Sequence, residues 1–141
     1  MRDICGNLWD FLGRTPLGIT TGGAVGPKGD CIMLRGCARQ ARDRFPSLPQ
    51  KLGTLILTRG NHVFSLGDGI FSFPVENSPF EFPDLRLIER SCQELLALVA
   101  AQGWPEVVLP RPGCGTGGLE WPTVRPLLES CFDDRFLIIS L

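Results

Sequence analysis

A glycine-rich run near the C-terminal end of the sequence constrains the fold more than any other feature. Four of the six residues at 113–118 are glycine. The run follows an apolar, β-rich stretch at residues 107–109 and precedes a segment whose apolar spacing is typical of a helix. Glycine brings bare backbone N–H groups close to a ligand, and a helix N-terminus attracts negative charge. The pattern predicts a phosphate-binding loop at a strand-to-helix junction, with an ordinary tight turn as the simpler alternative.

The run also satisfies Gly-x-Gly-x-x-Gly at Gly113, Gly115 and Gly118, but its context differs from that of a Rossmann domain. The Rossmann pattern follows the first strand, and an acidic residue ends a second strand about 20 residues on. Here the run follows the last strand but one, and residues 137–141 contain no acidic residue. No Gly-Lys-Ser/Thr sequence closes the run, which excludes a P-loop. An NAD(P)-dependent oxidoreductase is therefore disfavoured.

Length and charge narrow the function classes. The 141 residues suffice for one domain with a proper core, spanning 1–141. The net charge of -1 and the lack of a basic block give no support to nucleic-acid binding. No apolar run approaches the roughly 20 residues of a membrane span, and the N-terminal residues lack the apolar region of a signal peptide. We expect a monomeric, cytoplasmic protein.

The six cysteines and the single histidine, His62, indicate free thiols. A zinc site needs about four N or S ligands, usually in close pairs, and no Cys-x-x-Cys pair occurs. A disulfide framework is disfavoured because no secretory signal accompanies the cysteines. We expect neither a metal nor a cofactor.

Strand and helix patterns alternate along the chain, which predicts an α/β fold with a mixed sheet. The predicted strands are 18–21, 54–59, 62–66, 70–74, 107–109 and 136–140, with a meander in the middle. The predicted helices are 37–45, closed by Pro46 and Pro49, then 84–102, ended by Gly103, and about 123–132, with Thr123 as N-cap.

A second glycine-containing loop enters a helix at Arg35-Gly36-Cys37-Ala38. In an α/β sheet both loops can lie at the edge where ligands normally bind. Two helix N-termini that converge on one crevice suit a diphosphate between two sugars. The alternative is two unrelated turns.

Several motifs, in this order and spacing, resemble those of a macro domain over essentially the whole chain. They are Gly-Asn-Leu-Trp-Asp at 6–10, Ile-Thr-Thr-Gly-Gly at 19–23, Met-Leu-Arg-Gly-Cys-Ala-Arg-Gln-Ala at 33–41, Phe-Pro-Val at 73–75, Leu-Ile-Glu-Arg-Ser at 87–91 and Pro-Arg-Pro-Gly-Cys-Gly-Thr-Gly-Gly-Leu-Glu-Trp at 110–121. The last motif is similar to that of terminal ADP-ribose glycohydrolases, of DNA-ADP-ribosyl glycohydrolase antitoxins and of stand-alone phage and bacterial macro domains. The resemblance implies a three-layer α/β/α sandwich that binds ADP-ribose or an ADP-ribosylated acceptor.

The resemblance also implies a set of ligand-binding residues. The family's adenine-binding acid falls on Asn7, whose amide oxygen can still accept a hydrogen bond from the adenine amino group. The first loop would face the diphosphate and proximal ribose, and the second would wrap the phosphates with backbone N–H groups. The implied set is Asn7, Leu8, Thr21, Gly22, Arg35, Gly36, Cys37, Ala38, Pro112, Gly113, Cys114, Gly115, Thr116, Gly117, Gly118 and Leu119.

Departures from the family pattern leave the reaction open. Arg42 occupies the position of the catalytic lysine, and arginine cannot be deprotonated in a protein. Gly117 stands where the terminal ADP-ribose glycohydrolases have an aspartate. The catalytic residues are therefore unknown, and both a hydrolase and a non-catalytic reader or accessory module in a bacterial or phage NAD-linked system fit the sequence. Glu76, Asn77 and Glu81 replace more basic residues, either as solvated loop residues or with one carboxylate activating water.

Overall fold

Five parallel strands and one antiparallel strand form a single mixed sheet. The computed structural model describes all residues, Met1–Leu141. The strand order is β1-β6-β5-β2-β4-β3, and only β3 runs antiparallel to its neighbour, β4. The strands are β1 Arg2–Cys5, β2 Leu17–Gly22, β3 Ser65–Gly67, β4 Ile70–Glu76, β5 Val107–Pro110 and β6 Phe136–Ser140.

Helices cover both faces of this sheet. A 3₁₀ helix, Leu8–Phe11, lies on one face with α1, Gly36–Arg44, and α2, Leu48–Arg59. The other face carries α3, Leu85–Gln102, and α4, Trp121–Glu129. None of the helices is long and apolar enough to cross a membrane.

The central strands are apolar on both sides because both of their faces are covered. In β5, Val108 packs into the core beneath α1 and α2, whereas Val107 and Leu109 pack into the core beneath α3 and α4. Strand β6 alternates in the same way. The two cores on either side of one sheet make the three-layer α/β/α sandwich that the resemblance implied.

Most of the predicted elements are confirmed within one or two residues. Helix α3 begins after Asp84, whose carboxylate accepts from the Arg86 N–H at 2.8 Å, and ends at Gly103, whose φ is 65°. Strand β2 and helix α1 coincide with their predicted positions. The strand predicted at 62–66 is shorter and lies at Ser65–Gly67. Strand β1 and the 3₁₀ helix were not predicted.

The strand predicted at 54–59 is wrong, because these residues belong to helix α2. The β-branched residues Thr54, Ile56 and Thr58 favoured a strand. In the helix, the two threonine hydroxyls donate back to carbonyls one turn earlier, at 3.0 and 2.8 Å. Pro49 does not close α1 as predicted but lies in the first turn of α2, where a missing N–H costs nothing.

The predicted start of the last helix at Thr123 is also wrong. Helix α4 begins at Trp121, with Glu120 at the N-cap position and Pro122 in the first turn. Pro126 therefore lies inside the helix and loses one backbone hydrogen bond. Burial of Val124 and Leu128, one turn apart and both fully buried, outweighs that loss.

Gly53 of α2 lies against the chain that leads from β2 to α1. A Cβ atom at Gly53 would overlap the carbonyl oxygen of Gly29 and lie 2.9 Å from the Cys31 nitrogen. The Cys31 N–H in turn donates to the Pro49 carbonyl at 2.8 Å. Helix α2 therefore supports the long loop that ends at the start of α1.

We expect Gly53→Ala to destabilise the protein by about 1–3 kcal/mol, because the added methyl overlaps backbone that cannot move freely. In an exposed helix the same change normally stabilises by about 1 kcal/mol. Urea unfolding measures the difference. The control is Thr54→Ala at the neighbouring, exposed position, which should change stability by less than about 0.5 kcal/mol. A Gly53→Ala protein as stable as the parent would contradict the close approach.

Candidate functional site

A cleft of about 670 Å³ runs along the carboxyl edge of the sheet. It is lined by the residues that follow the parallel strands, from Asn7 after β1, through Ser140, Arg111 and Gly22, to Glu76 at the end of β4. Neighbouring strands are about 4.8 Å apart, so the four spacings from β1 to β4 give a length of about 19 Å. The cleft can therefore hold an extended ligand.

Both predicted loops meet in this cleft. They follow β2 and β5, which are neighbours in the sheet, and they lead to α1 and α4 on opposite faces. Such a point, where the chain leaves adjacent strands toward opposite faces, opens a crevice. A Cβ atom at Gly36 would lie 3.9 Å from the Thr116 hydroxyl, so the loops nearly touch.

Each loop contributes a run of backbone N–H groups that no backbone carbonyl accepts. Helix α1 has no side-chain cap at its N-terminus, and no backbone acceptor lies within hydrogen-bond reach of the N–H groups of Gly36, Cys37 and Ala38. In the second loop, no backbone acceptor lies within hydrogen-bond reach of the N–H groups at 115–117. Two such sets that line one crevice are an arrangement that suits an anion.

Arginines give this part of the cleft a positive character. Arg35, Arg44 and Arg111 line it, and Glu76 is the single carboxylate side chain among the lining residues. The Arg111 guanidinium stacks over the Trp121 ring at 4.9 Å, and its Nε is buried without a hydrogen-bond partner. These charges favour an anionic ligand.

Two of the arginines are held by contacts at the rims of the cleft. Arg44 lies over the buried Trp9 ring, with its Cζ 4.6 Å from the ring centroid. Arg35 Nη2 donates to the Pro79 carbonyl at 3.0 Å and so joins the start of α1 to the loop after β4. Neither guanidinium is paired with a carboxylate, so both keep their charge available to a ligand.

Asn7 has a structural role at its end of the cleft. Its Oδ1 accepts from the Trp9 N–H at 3.0 Å and caps the 3₁₀ helix. The remaining lone pair of that oxygen and the exposed position of the side chain leave room for a second hydrogen bond. Asn7 thus serves the local fold whether or not it contacts a ligand.

Cys37 is not an activated nucleophile. Burial raises the pKa of its thiol, and hydrogen bonds from Thr20 lower it by less. The Thr20 N–H lies 3.3 Å from the sulfur, as does the Thr20 hydroxyl. Because the thiolate is the reactive form, the raised pKa makes this thiol less reactive than a free thiol at neutral pH.

Glu76 is half-buried and stands at the opposite end of the cleft from Asn7. Its backbone carbonyl accepts from the Gly23 N–H and from Asn61 Nδ2, at 3.1 and 3.0 Å, which fixes its position. Its carboxylate makes no hydrogen bond or ion pair within the protein. Burial raises the pKa of this carboxyl; Arg35 lowers it and Glu81 raises it.

Most of the residues that the resemblance implied lie around the cleft. Pro112, Cys114, Gly118 and Leu119 do not line it. Pro112 is buried, and the Cys114 thiol donates to its carbonyl at 3.4 Å. The lining residues outside the implied set include Trp9, Gln40, Arg44, Glu76, Pro79 and Arg111. The sequence had named Glu76 only as one of three polar residues that are either solvated or able to activate water. Glu76 and Arg111 each lie two residues beyond the end of a predicted strand, which is the signal that could have placed them at the sheet edge.

The sequence matches no protein-family model and no curated protein. The structure, however, is similar to solved macrodomains. The macrodomain of Thermus aquaticus DarG superposes with a TM-score of 0.75 at 22% identity, covering 99% of this chain and 97% of that one. The macrodomain of Mycobacterium tuberculosis DarG superposes with a TM-score of 0.77, at the same identity and coverage. The chain has the macro domain fold.

A third similar structure contains a ligand. Thermosipho africanus DarTG in complex with ADP-ribose superposes with a TM-score of 0.76 at 19% identity. The match covers 98% of this chain and 41% of that one, so this chain spans less than half of that protein's length.

The structure places the two residues that depart from the macro domain pattern described in the sequence analysis. Arg42, at the position of the family's lysine, does not line the cleft; it donates to the Met33 carbonyl at 3.0 Å and contacts Asp43 at 3.3 Å. Gly117, at the aspartate position, has no room for a side chain, because a Cβ atom would lie 2.7 Å from both the Gly113 oxygen and the Pro83 ring. No cluster of three or more metal-ligating side chains accompanies the cleft.

We expect iodoacetamide to modify Cys37 more slowly than free N-acetylcysteine at pH 7, and its rate to keep rising above pH 9. A raised pKa delays formation of the thiolate to higher pH. Peptide mass spectrometry after timed quenching measures the rate at each cysteine. Exposed Cys5 serves as the internal control for reagent access. A Cys37 rate that equals the free thiol and levels off below pH 9 would contradict the burial argument.

Proposed function

We propose that this chain binds ADP-ribose, either free or as the terminal unit of a modified acceptor. The observation that carries the proposal is the convergence of two runs of N–H groups without a backbone acceptor, at 36–38 and 115–117, at the crevice between β2 and β5. This arrangement suits a diphosphate. The cleft extends to both sides of that point, which leaves space for a nucleoside on one side and a ribose on the other.

The charge and length of the cleft support the same ligand. Arg35, Arg44 and Arg111 balance the two negative charges of a diphosphate. The distance of about 19 Å from the β1 end to the β4 end suits an extended dinucleotide-like molecule. The similarity to a DarTG structure solved with ADP-ribose adds to this support.

Within this proposal the chain is either an ADP-ribosyl hydrolase or a protein that binds ADP-ribose without turnover. Binding without turnover is the second candidate function. It is favoured by Arg42, which lies outside the cleft, and by Gly117, which leaves no space for an acid. The protein would then read ADP-ribose or serve as an accessory module.

We expect ADP-ribose to bind in a 1:1 complex and to raise the melting temperature by at least about 5 °C at 100 times its Kd. Calorimetric titration and thermal unfolding measure the two effects, with ADP, AMP and NAD as comparison ligands. The matched variant is Gly115→Glu, which places a carboxylate beside the phosphates. Gly115 has an ordinary backbone conformation, and nothing lies within 4 Å of a Cβ atom there, so the variant should fold.

We expect Gly115→Glu to weaken ADP-ribose binding by at least about 30-fold through like-charge repulsion. Gly115→Ala adds a methyl group without a charge, so it tests the steric effect alone. It should bind within about threefold of the parent. Thr58→Glu adds the same charge on exposed α2 and should bind normally. If the parent shows no heat and no thermal shift at millimolar ADP-ribose, the proposed function is wrong. If folded Gly115→Glu binds ADP-ribose with the affinity of the parent, the second loop does not contact the ligand.

Asn7 tests the orientation of the ligand. If its amide oxygen accepts from the adenine amino group, Asn7→Asp should strengthen binding modestly, because an ionised acceptor makes a stronger hydrogen bond. Asn7→Ala should weaken binding by about three- to tenfold and also lose a helix cap worth about 1 kcal/mol. Asn7→Ser is the control that retains a capping oxygen on a shorter side chain. Calorimetry with ADP-ribose and its hypoxanthine analogue checks the contact; equal affinities for both ligands in every variant would show that Asn7 does not read the base.

A further inference from the structure

Glu76 ends β4 at the edge of the cleft, and its half-buried carboxylate has no hydrogen-bond or ion-pair partner. The fold does not require that carboxylate. Its backbone carbonyl carries the structural contacts, to Gly23 and Asn61, whereas its carboxylate has none. The carboxylate lies over the end of β2: a Cβ atom at Gly22 would be 3.4 Å from Glu76 Oε1. The neighbouring Thr21 lines the cleft, and its hydroxyl is buried without a hydrogen-bond partner.

The sheet order places Glu76 relative to a bound ligand. Asn7 follows β1, the paired loops follow β5 and β2, and Glu76 ends β4, so these three parts lie in this order along the cleft. With adenine at Asn7 and the diphosphate at the loops, the second ribose lies at the β4 end. The anomeric carbon of that ribose, which carries any attached acceptor, is then the part of the ligand nearest to Glu76.

We propose that Glu76 is the general base of an ADP-ribosyl hydrolase activity, activating a water molecule for attack on the anomeric carbon of the ribose beyond the diphosphate. This inference rests on the proposed binding of ADP-ribose and assigns the reacting end of the same cleft. The half-buried carboxylate has its pKa raised toward the working range of a base by desolvation, as is common at functional sites.

The reaction needs water as its only co-reactant. The water oxygen forms a bond to the anomeric carbon while the bond from that carbon to the acceptor atom breaks. The bonding electron pair leaves with the acceptor. Glu76 takes the proton from the attacking water, and an equal proton passes to the departing acceptor from the carboxyl or from solvent. The products are ADP-ribose and the unmodified acceptor.

This assignment does not depend on the two family positions that this chain has changed. Arg42 does not line the cleft and donates to the Met33 carbonyl, and Gly117 has no space for a carboxylate. Glu76 is the last residue of β4, whereas Arg42 lies in α1 and Gly117 in the loop after β5. Glu76 is also the single carboxylate side chain among the cleft residues. The chain thus offers an acid at the reacting end even though the usual positions offer none.

The test compares the parent with Glu76→Gln, which removes the base and keeps the size of the side chain. Glu76→Ser is a second variant, and Glu89→Gln is the control because Glu89 is an exposed carboxylate outside the cleft. Three probes carry ADP-ribose on different atoms: an ester on a peptide aspartate, an O-glycosidic bond on a peptide serine, and an N-glycosidic bond on an oligonucleotide base. Release of ADP-ribose is followed by chromatography, and affinity for free ADP-ribose by calorimetry.

We expect the parent and Glu89→Gln to release ADP-ribose from at least one probe. Both Glu76 variants should be at least about 100-fold slower while binding ADP-ribose within about threefold of the parent. In ¹⁸O-labelled water, an aspartate peptide released by attack at the anomeric carbon carries no label, whereas attack at the ester carbonyl labels it.

Three results would overturn the assignment: Glu76→Gln that turns over like the parent, Glu76 variants that lose affinity as much as rate, and label in the aspartate peptide. A parent that binds ADP-ribose but releases it from none of the probes would also overturn it, leaving the proposed binding function intact. A parent that does not bind ADP-ribose at all would instead remove the proposed function itself.

Discussion

The pairing of β2 with β5 at the centre of the sheet is the constraint on which the site depends. Because these strands are parallel neighbours whose chains depart to opposite faces, their loops must both pass over the same crevice. The cores beneath the two helix layers hold α1 and α4 against the sheet, and so hold the loops at a fixed separation. Neither loop could form the site alone, because each supplies one side of it.

The sequence predicted the parts of the fold where local preference and burial agree. Helix α3 has helical apolar spacing, a capping Asp84 and a terminating Gly103, so every local signal gave the same answer. The strand predicted at residues 54–59 is wrong because the prediction rested on their β-branched side chains, which favour strands. The segment forms a helix in which Leu52 is buried in the core beneath α1 and α2. Thr123 was chosen as N-cap to keep Pro126 in the first turn, but burial of Val124 and Leu128 decided otherwise.

The site was predictable in its backbone more than in its side chains. Glycine content identified both loops, because turns with positive φ and close backbone contacts leave a direct mark on sequence. The contributions of Arg44, Arg111 and Glu76 depend on which way a side chain turns from the sheet edge, and spacing alone does not encode that. The resemblance pointed to Arg42, whereas the guanidinium that reaches the cleft from α1 belongs to Arg44, which is held over Trp9.

The unpartnered N–H groups of the second loop bear on how this protein can change over time. Every residue except proline carries the same N–H group, so a site of this kind restricts backbone shape rather than side-chain identity. At Gly117 the limit is the lack of space for any Cβ atom, whereas at Gly115 the surroundings are open. Mutational drift can therefore replace much of the surface around the crevice before the crevice is lost.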